Sequence, residues 1–384
     1  LSNTLGRLVE VRRPNLALFL NGANIEARVN HALQMLANEE TPIEEQPFLK
    51  NLKSALSVAP GDARVYTLLG EYLLRTRQPD QANQMFRQTL KINKGEVNAL
   101  EKVARRQIED RDIAGGFASL NILLTRWPAR LASVADLMEK VITDPQGLKA
   151  VISELSENPP WRISFLDALA RAPNANDFLS EIVLGLVATP APPTPHETRI
   201  AITALMANGK ANAAYRVFLF TLPAAAQKLA GHVFNPQFVN TTTGQVFDWE
   251  FVDSPGVEIS RTARGGLTIS LLNGPVRLIR FGQTLALIPG AYVFKTTVSG
   301  QSLALPRGLS LRIYCPGART EIAKIDLPEG QFSRMDLAAE FRVPDDGCAS
   351  QRISIISGLN VDSWRYRYNG KLQLHSLDIE QAAQ

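Results

Sequence analysis

The chain has 384 residues, too long for one ordinary hydrophobic core and suited to two domains. With 45% hydrophobic and 20% charged residues it is globular, which excludes general disorder, and no run approaches the ~18 apolar residues a membrane helix needs. Lys plus Arg number 41 against 37 Asp plus Glu, and the net charge of +4 is spread along the chain, so no nucleic-acid partner is expected.

From Leu1 to about Gly231 the apolar residues recur at helical spacing. The segment up to Pro60 reads as an irregular first unit with an acidic loop, Glu39 to Glu45. Self-comparison then finds a repeat at the ~34-residue period of stacked helical hairpins. Counted from Ala63, the places for a bulky residue, Leu, a small residue, Ala and an aromatic hold Tyr66, Leu69, Gly70, Ala82 and Phe86. One period on, they hold Leu100, Val103, Ala104, Gly116 and Leu120, and the boundary place holds Pro60, Lys94 and Pro128 in turn. This pattern resembles the tetratricopeptide repeat, which implies an N-terminal α-solenoid whose small residues let paired helices approach. Thr198, Ala201, Ile202, Leu205, Gly209, Ala214 and Phe218 read as a further unit. Between them, Leu131 to Thr189 is helical but off the pattern, and Thr189 to Pro195 (TPAPPTP) is expected to be a stiff connection. The solenoid's grooves are expected either to pack within the protein or to engage a protein partner.

At Phe234 to Phe251 the pattern changes to alternating apolar residues with turn dipeptides. Strands are expected at Val246 to Phe251, Val257 to Arg261, Leu267 to Leu272, Val276 to Phe281, Leu285 to Leu287, Gly290 to Val298, Ser310 to Cys315, Thr320 to Asp326, Ser333 to Val343, Gln351 to Ser357, Ser363 to Tyr368 and Lys371 to Ile379. So many short strands without intervening helices predict an antiparallel β-sandwich. The fold class is thus α + β in separate domains, residues 1–231 helical and 232–384 the sandwich.

Asn235 and Phe238, then Phe247, Asp248 and Trp249, Pro289 to Gly300 (PGAYVFKTTVSG), Leu311 to Cys315 and the terminal LQLHSLDIE resemble the galactose-binding-like jelly roll of carbohydrate-binding modules. Such modules stand behind helical repeats in bacterial polysaccharide proteins, so the resemblance implies a non-catalytic role in exopolysaccharide or O-antigen assembly or export in the periplasm. The last strand of such domains often carries Asp-Asp where this chain has His375-Ser376, so no calcium is expected there. Asn235, Phe238 and Trp249 are expected to start the sandwich and plug one end, with sugar stacking on Trp249 as the alternative. Cys315 and Cys348 are expected to form a disulfide closing the loop between them, worth roughly 3 kcal/mol, against two reduced buried thiols as the alternative. A bond there requires an oxidising compartment, and a membrane tether upstream of Leu1 fits the same setting.

The candidate ligand surface is the closing stretch SWRYRYNGKLQLH. With Asn369-Gly370 as a two-residue hairpin turn, Trp364, Tyr366 and Tyr368 share one face with Lys371, Gln373 and His375. Aromatic faces beside amide and cationic donors suit a sugar ring; the competing expectation is that these aromatics pack against the helices or the second sheet. Four histidines lie without metal-site spacing, and no nucleophile elbow, P-loop or dinucleotide fingerprint occurs. No metal, cofactor or catalytic residue is expected; a scaffold without a sugar site is the rival to glycan binding, and a polysaccharide-modifying enzyme is the weaker alternative.

Overall fold

The structure, a computed structural model, describes residues 7–37, 45–172, 176–359 and 364–382. All but the last residue of the acidic loop expected at 39–45 lies outside them. The chain divides into two compact units, Leu1–Phe165 and Leu166–Gln384. No helix among the described residues is long and apolar enough to cross a membrane.

The first unit contains α1 (Pro14–Leu20), α2 (Ile25–Ala37), α3 (Glu45–Val58), α4 (Ala63–Arg75), α5 (Pro79–Ile92), α6 (Val97–Glu109), α7 (Ile113–Arg126), a 3-10 turn (Pro128–Val134), α8 (Ala135–Thr143) and α9 (Pro145–Leu155). Paired helices α4–α5 and α6–α7 recur at an offset of 34 residues, starting at Ala63 and Val97 and at Pro79 and Ile113. Their internal turns repeat too. Arg77 and Arg111 take left-handed φ values of 61° and 65°, and the next N–H groups, of Gln78 and Asp112, return to the Leu73 and Gln107 carbonyls at 2.8 Å. Each helix end thereby satisfies carbonyls it would otherwise orphan. Inside the first pair the approach is set by Gly70, where an added Cβ would lie 2.6 Å from the Phe86 ring. Trp161 is fully buried at the far end of the unit, edge-on to Phe117 and Phe165, with its indole N–H on Asn121 at 3.0 Å.

The second unit begins within α10 (Arg162–Arg171) and continues through α11 (Asn176–Leu186), α12 (Pro195–Ala207), α13 (Ala211–Thr221) and the single turn α14 (Ala224–Gln227). The proline-rich connection ends in a helix start: Thr194 caps α12 and Glu197 reaches back to it, a capping box with Pro195 in the first turn. Gly209, with φ 72°, makes the same turn between α12 and α13 that Arg77 and Arg111 make earlier. Phe218 of α13 then packs edge-on to Phe234 at 5.0 Å and beside Phe247 at 5.8 Å, joining the helices to the start of the sandwich. Trp249 is buried with Phe238 at 4.7 Å and Phe281 at 5.0 Å. Its indole N–H donates to the Asn235 carbonyl at 2.9 Å, and its burial leaves no ring face for a sugar.

Among the described residues, ten strands form two five-stranded antiparallel sheets. One has the order β1 (Glu250–Val252), β4 (Arg280–Leu285), β9 (Gln351–Ser357), β6 (Leu309–Cys315), β7 (Thr320–Asp326). The other runs β2 (Val257–Arg261), β3 (Leu267–Gly274), β10 (Tyr368–Gln381), β5 (Gly290–Ala304), β8 (Gly330–Val343). The chain changes sheet at every connection except β2–β3 and β6–β7, so the core lies between two layers built from alternating segments. Four expected strands differ. Val246 to Phe251 and Val276 to Phe281 are strand only at their last two residues, Leu285 to Leu287 is strand only at Leu285, the end of β4, and Trp364 to Arg367 forms a turn and bend instead of pairing.

The expected closing hairpin is therefore replaced by one long strand. Asn369 pairs with Leu272 on one side and Ala304 on the other, so Asn369-Gly370 lies inside β10 at a register shift. Gly370 has φ 100°, and a Cβ there would overlap the Gln301 and Ser302 carbonyl oxygens. The left-handed glycine that suits a hairpin turn serves equally in a bulge, which is its use here.

Cys315 and Cys348 are disulfide-bonded and buried, closing a loop of sequence separation 33. For such a loop the chain-entropy model gives roughly 4 kcal/mol at 25 °C. The double variant Cys315→Ser/Cys348→Ser should lower unfolding stability by about that amount in urea titration, and denatured, unreduced protein should react with no thiol reagent. Tyr215 supplies a second test. Burial pushes its phenol up to about 12, and its O–H donates to the Gly231 carbonyl at 2.6 Å. The folded state holds the neutral phenol, so this contribution is complete below the ordinary value of 10.0 and is lost as pH rises through about 12. Tyr215→Phe should cost about 1 kcal/mol at neutral pH and flatten the alkaline loss of stability seen in melting curves.

Candidate functional site

One end of the sandwich gathers three loops: residues 305–308 between β5 and β6, the segment after β9, and the end of β3. Tyr368 organises them from below. It is fully buried, its hydroxyl accepting from Ser357 Oγ at 3.0 Å and donating to the Gly308 carbonyl at 3.1 Å, while Gly358 N–H reaches the same carbonyl at 3.2 Å. Tyr368 thus belongs to the floor of this end, and its ring is not on a surface shared with Trp364 and Tyr366.

Above that floor Trp364 is 68% exposed, its six-membered ring resting near Gly274. Tyr366 is half-buried, and the Arg307 guanidinium lies 4.1 Å from its ring centroid and donates to its hydroxyl. Arg365 stands 5.8 Å from the same ring. Arg367 stands 5.7 Å from the Trp364 ring and donates from Nε to the Trp364 carbonyl at 3.3 Å. These are cation–π distances, which hold the guanidinium groups beside the aromatic faces. Arg307 was not singled out in the sequence, because only the folded chain brings the Pro306-Arg307-Gly308 turn to Tyr366, 59 residues away.

Gln373 and His375 lie elsewhere, on the outer face of the second sheet, where Leu372 and Leu374 mark the core side. Gln373 pairs with Thr268 on β3 and Ser299 on β5, and Lys371 with Ser270 and Gln301, giving a polar row across three strands. His375 Nε2 and Ser299 Oγ are 2.7 Å apart. Burial, then the charge of Arg334, holds the His375 imidazole below its ordinary value, so this ring favours its neutral form. Tyr368 pairs with Gly274 and Gln373 with Thr268, six residues along β3. At ~3.4 Å per residue Gln373 lies roughly 20 Å from the aromatic end. The five expected ligand residues therefore separate into an aromatic pair at the rim, a polar pair on the sheet, and one core residue.

In the first unit, α2, α4 and α6 line a groove of about 1060 Å³. Leu33 and Leu74 are exposed in it, among Arg64, Arg75, Lys102, Glu71, Glu96 and Glu101. Lys102 and Glu71 pair across it at 3.3 Å. Among the described residues no group of His, Cys, Asp or Glu side chains is placed to hold a metal ion.

No protein-family model matches the chain, and no curated protein matches it. Among solved structures, 40% of the chain is similar to 99% of a protein described under "CBM4 structure and function" (14% identity, TM-score 0.30). A second similarity joins 36% of the chain to all of the carbohydrate-binding module CBM6cm-2 from Cellvibrio mixtus lichenase 5A in complex with cellotriose (14% identity, TM-score 0.24). A third joins 40% of the chain to 99% of TmCBM61 in complex with β-1,4-galactotriose (13% identity, TM-score 0.28).

The two tyrosines at this end should separate cleanly on substitution. Tyr368→Phe leaves buried partners in Ser357 and Gly308 and should cost about 1–3 kcal/mol of unfolding stability. Tyr366→Phe, at the surface, should stay within about 0.5 kcal/mol of the parent. Equal losses in denaturant titration would remove Tyr368 from its role as floor.

Proposed function

We propose that this is a non-catalytic glycan-binding protein of bacterial polysaccharide assembly or export. Its sandwich takes the glycan at the Trp364 end, and its tetratricopeptide-like helices engage a protein partner. The carrying observation is the exposed Trp364 ring, resting near Gly274 with the Arg367 guanidinium 5.7 Å from its centroid. An indole left in water costs about 1.5–3 kcal/mol of unused apolar burial, and a sugar's apolar face recovers part of it while its hydroxyls accept from arginine N–H groups. The disulfide supports an oxidising setting, which the periplasm supplies. The groove beside Leu33 and Leu74 favours the protein-partner half of the proposal, because two exposed leucines among paired charges match an amphipathic segment.

Affinity electrophoresis through gels cast with neutral and acidic bacterial polysaccharides tests the sandwich. The intact chain should be retarded by at least one of them, with Trp364→Ala weakening that retardation about tenfold and Tyr366→Ala by less. Retardation that survives both substitutions would remove this end as the site. Retardation by no glycan would leave the scaffold role, with the helical groove as the working surface.

A further inference from the structure

We infer that the glycan taken at the Trp364 end is acidic, a polymer whose sugars carry carboxylates; this rests on the glycan-binding function proposed above. Three guanidinium groups from two separate loops converge on the two aromatic rings: Arg307 and Arg365 beside Tyr366, Arg367 beside Trp364. All three side chains are exposed. Among the described residues none of them pairs with a carboxylate, whereas Arg312 and Arg352 on the same sandwich meet Glu321 at 2.9 Å and Glu250 at 2.6 Å. The sequence from Gly358 to Asn369 carries one acid, Asp362, against Arg365 and Arg367, and Arg307 adds to the excess.

A neutral sugar gains little from such an arrangement. Like charges gathered at one place repel one another, and the repulsion is relieved when an anion enters between them. Each guanidinium is a planar fork that matches a carboxylate with two parallel hydrogen bonds, a fit that a lysine ammonium cannot reproduce. Arg307 spends one N–H on the Tyr366 hydroxyl, and Arg367 spends Nε on the Trp364 carbonyl. These bonds fix the planes of two guanidiniums and leave their remaining N–H groups for a ligand. Trp364 then offers its apolar face to the ring of the sugar whose carboxylate the arginines hold. Ring face and carboxylate are the two features that distinguish a uronic acid from a neutral hexose on one side and from a simple anion on the other.

The test is titration calorimetry of the full chain with three polyuronates, polygalacturonate, polymannuronate and polyglucuronate, and with each polymer after reduction of its carboxyl groups. At least one polyuronate should bind about tenfold tighter than its reduced form. Arg307→Gln, Arg365→Gln and Arg367→Gln should each weaken that binding about three- to tenfold, with unchanged melting curves because the side chains are exposed, and Arg367→Lys should restore only part of the loss. Equal affinity for a polyuronate and its reduced form, lost in Trp364→Ala, overturns the acidic ligand while leaving glycan binding at this end intact. The same follows if all three polyuronates fail and a neutral glycan binds. Failure of every acidic and neutral polymer overturns both proposals. Polyuronate binding that Trp364→Ala leaves unchanged, or that dextran sulfate matches, is unspecific attraction between polyelectrolytes and overturns the inference.

Discussion

The second unit depends on how the backbone between Val233 and Trp249 is satisfied. This segment turns from helices to strands with both of its ends buried, where regular structure does not pair all of its N–H and C=O groups. Gln283 solves part of the problem from β4: its amide accepts from Phe234 N–H at 3.2 Å and donates to the Phe234 carbonyl at 2.9 Å, standing in for a missing strand. Asn235 solves another part, accepting from Val239 N–H at 2.9 Å and donating to the Asn240 carbonyl at 3.2 Å. Trp249 takes the Asn235 carbonyl at 2.9 Å. Asn235 and Phe238 hold left-handed φ values of 52° and 55°, at about 1–2 kcal/mol each for a residue with a Cβ. Each buried group left unpaired would cost about 1–3 kcal/mol. The bonds outweigh the strain, and the conformation persists because both amide side chains act at once.

With that turn fixed, the rest of the sandwich acquires its positions. Phe234 and Phe247 emerge on either side of Phe218, so α13 is held to the first residues of the β region. Phe238 and Trp249 emerge on the other side, against Phe281 of β4, and so begin the core between the sheets. Residues with the most distinctive sequence signature in the chain are thus structural, because a Trp and an Asn whose hydrogen bonds are spent internally have nothing left to offer a ligand.

The sequence revealed those features that are local or strictly periodic. The 34-residue offset survives into helix starts and even into the left-handed turns at Arg77 and Arg111, because every unit solves the same packing problem. Most strands alternate in burial and were legible for that reason. Asn369-Gly370 was not, since a bulge and a hairpin turn ask for the same backbone conformation, and only the partners of β10 on both sides decide between them. That decision moved Tyr368 into the core and carried Gln373 and His375 away from Trp364. Arg307 was illegible for a different reason: its place in the site comes from a contact across 59 residues, which no local pattern encodes.

The division of labour within this end of the sandwich follows from which groups are free to move. Tyr368 ties the Gly308 turn to Ser357 through one buried hydroxyl, so the loops that carry Arg307 and Tyr366 share a rigid base. A ligand meeting them has little ordering to impose, and less of the interaction energy is lost to immobilising side chains. The charges presented there are guanidinium groups, planar forks of N–H donors, while the His375 imidazole sits about 20 Å away on the sheet. Exposed charges of this kind act over short range, because salt screens them. The buried disulfide elsewhere in the sandwich fits an oxidising setting, extracellular or periplasmic.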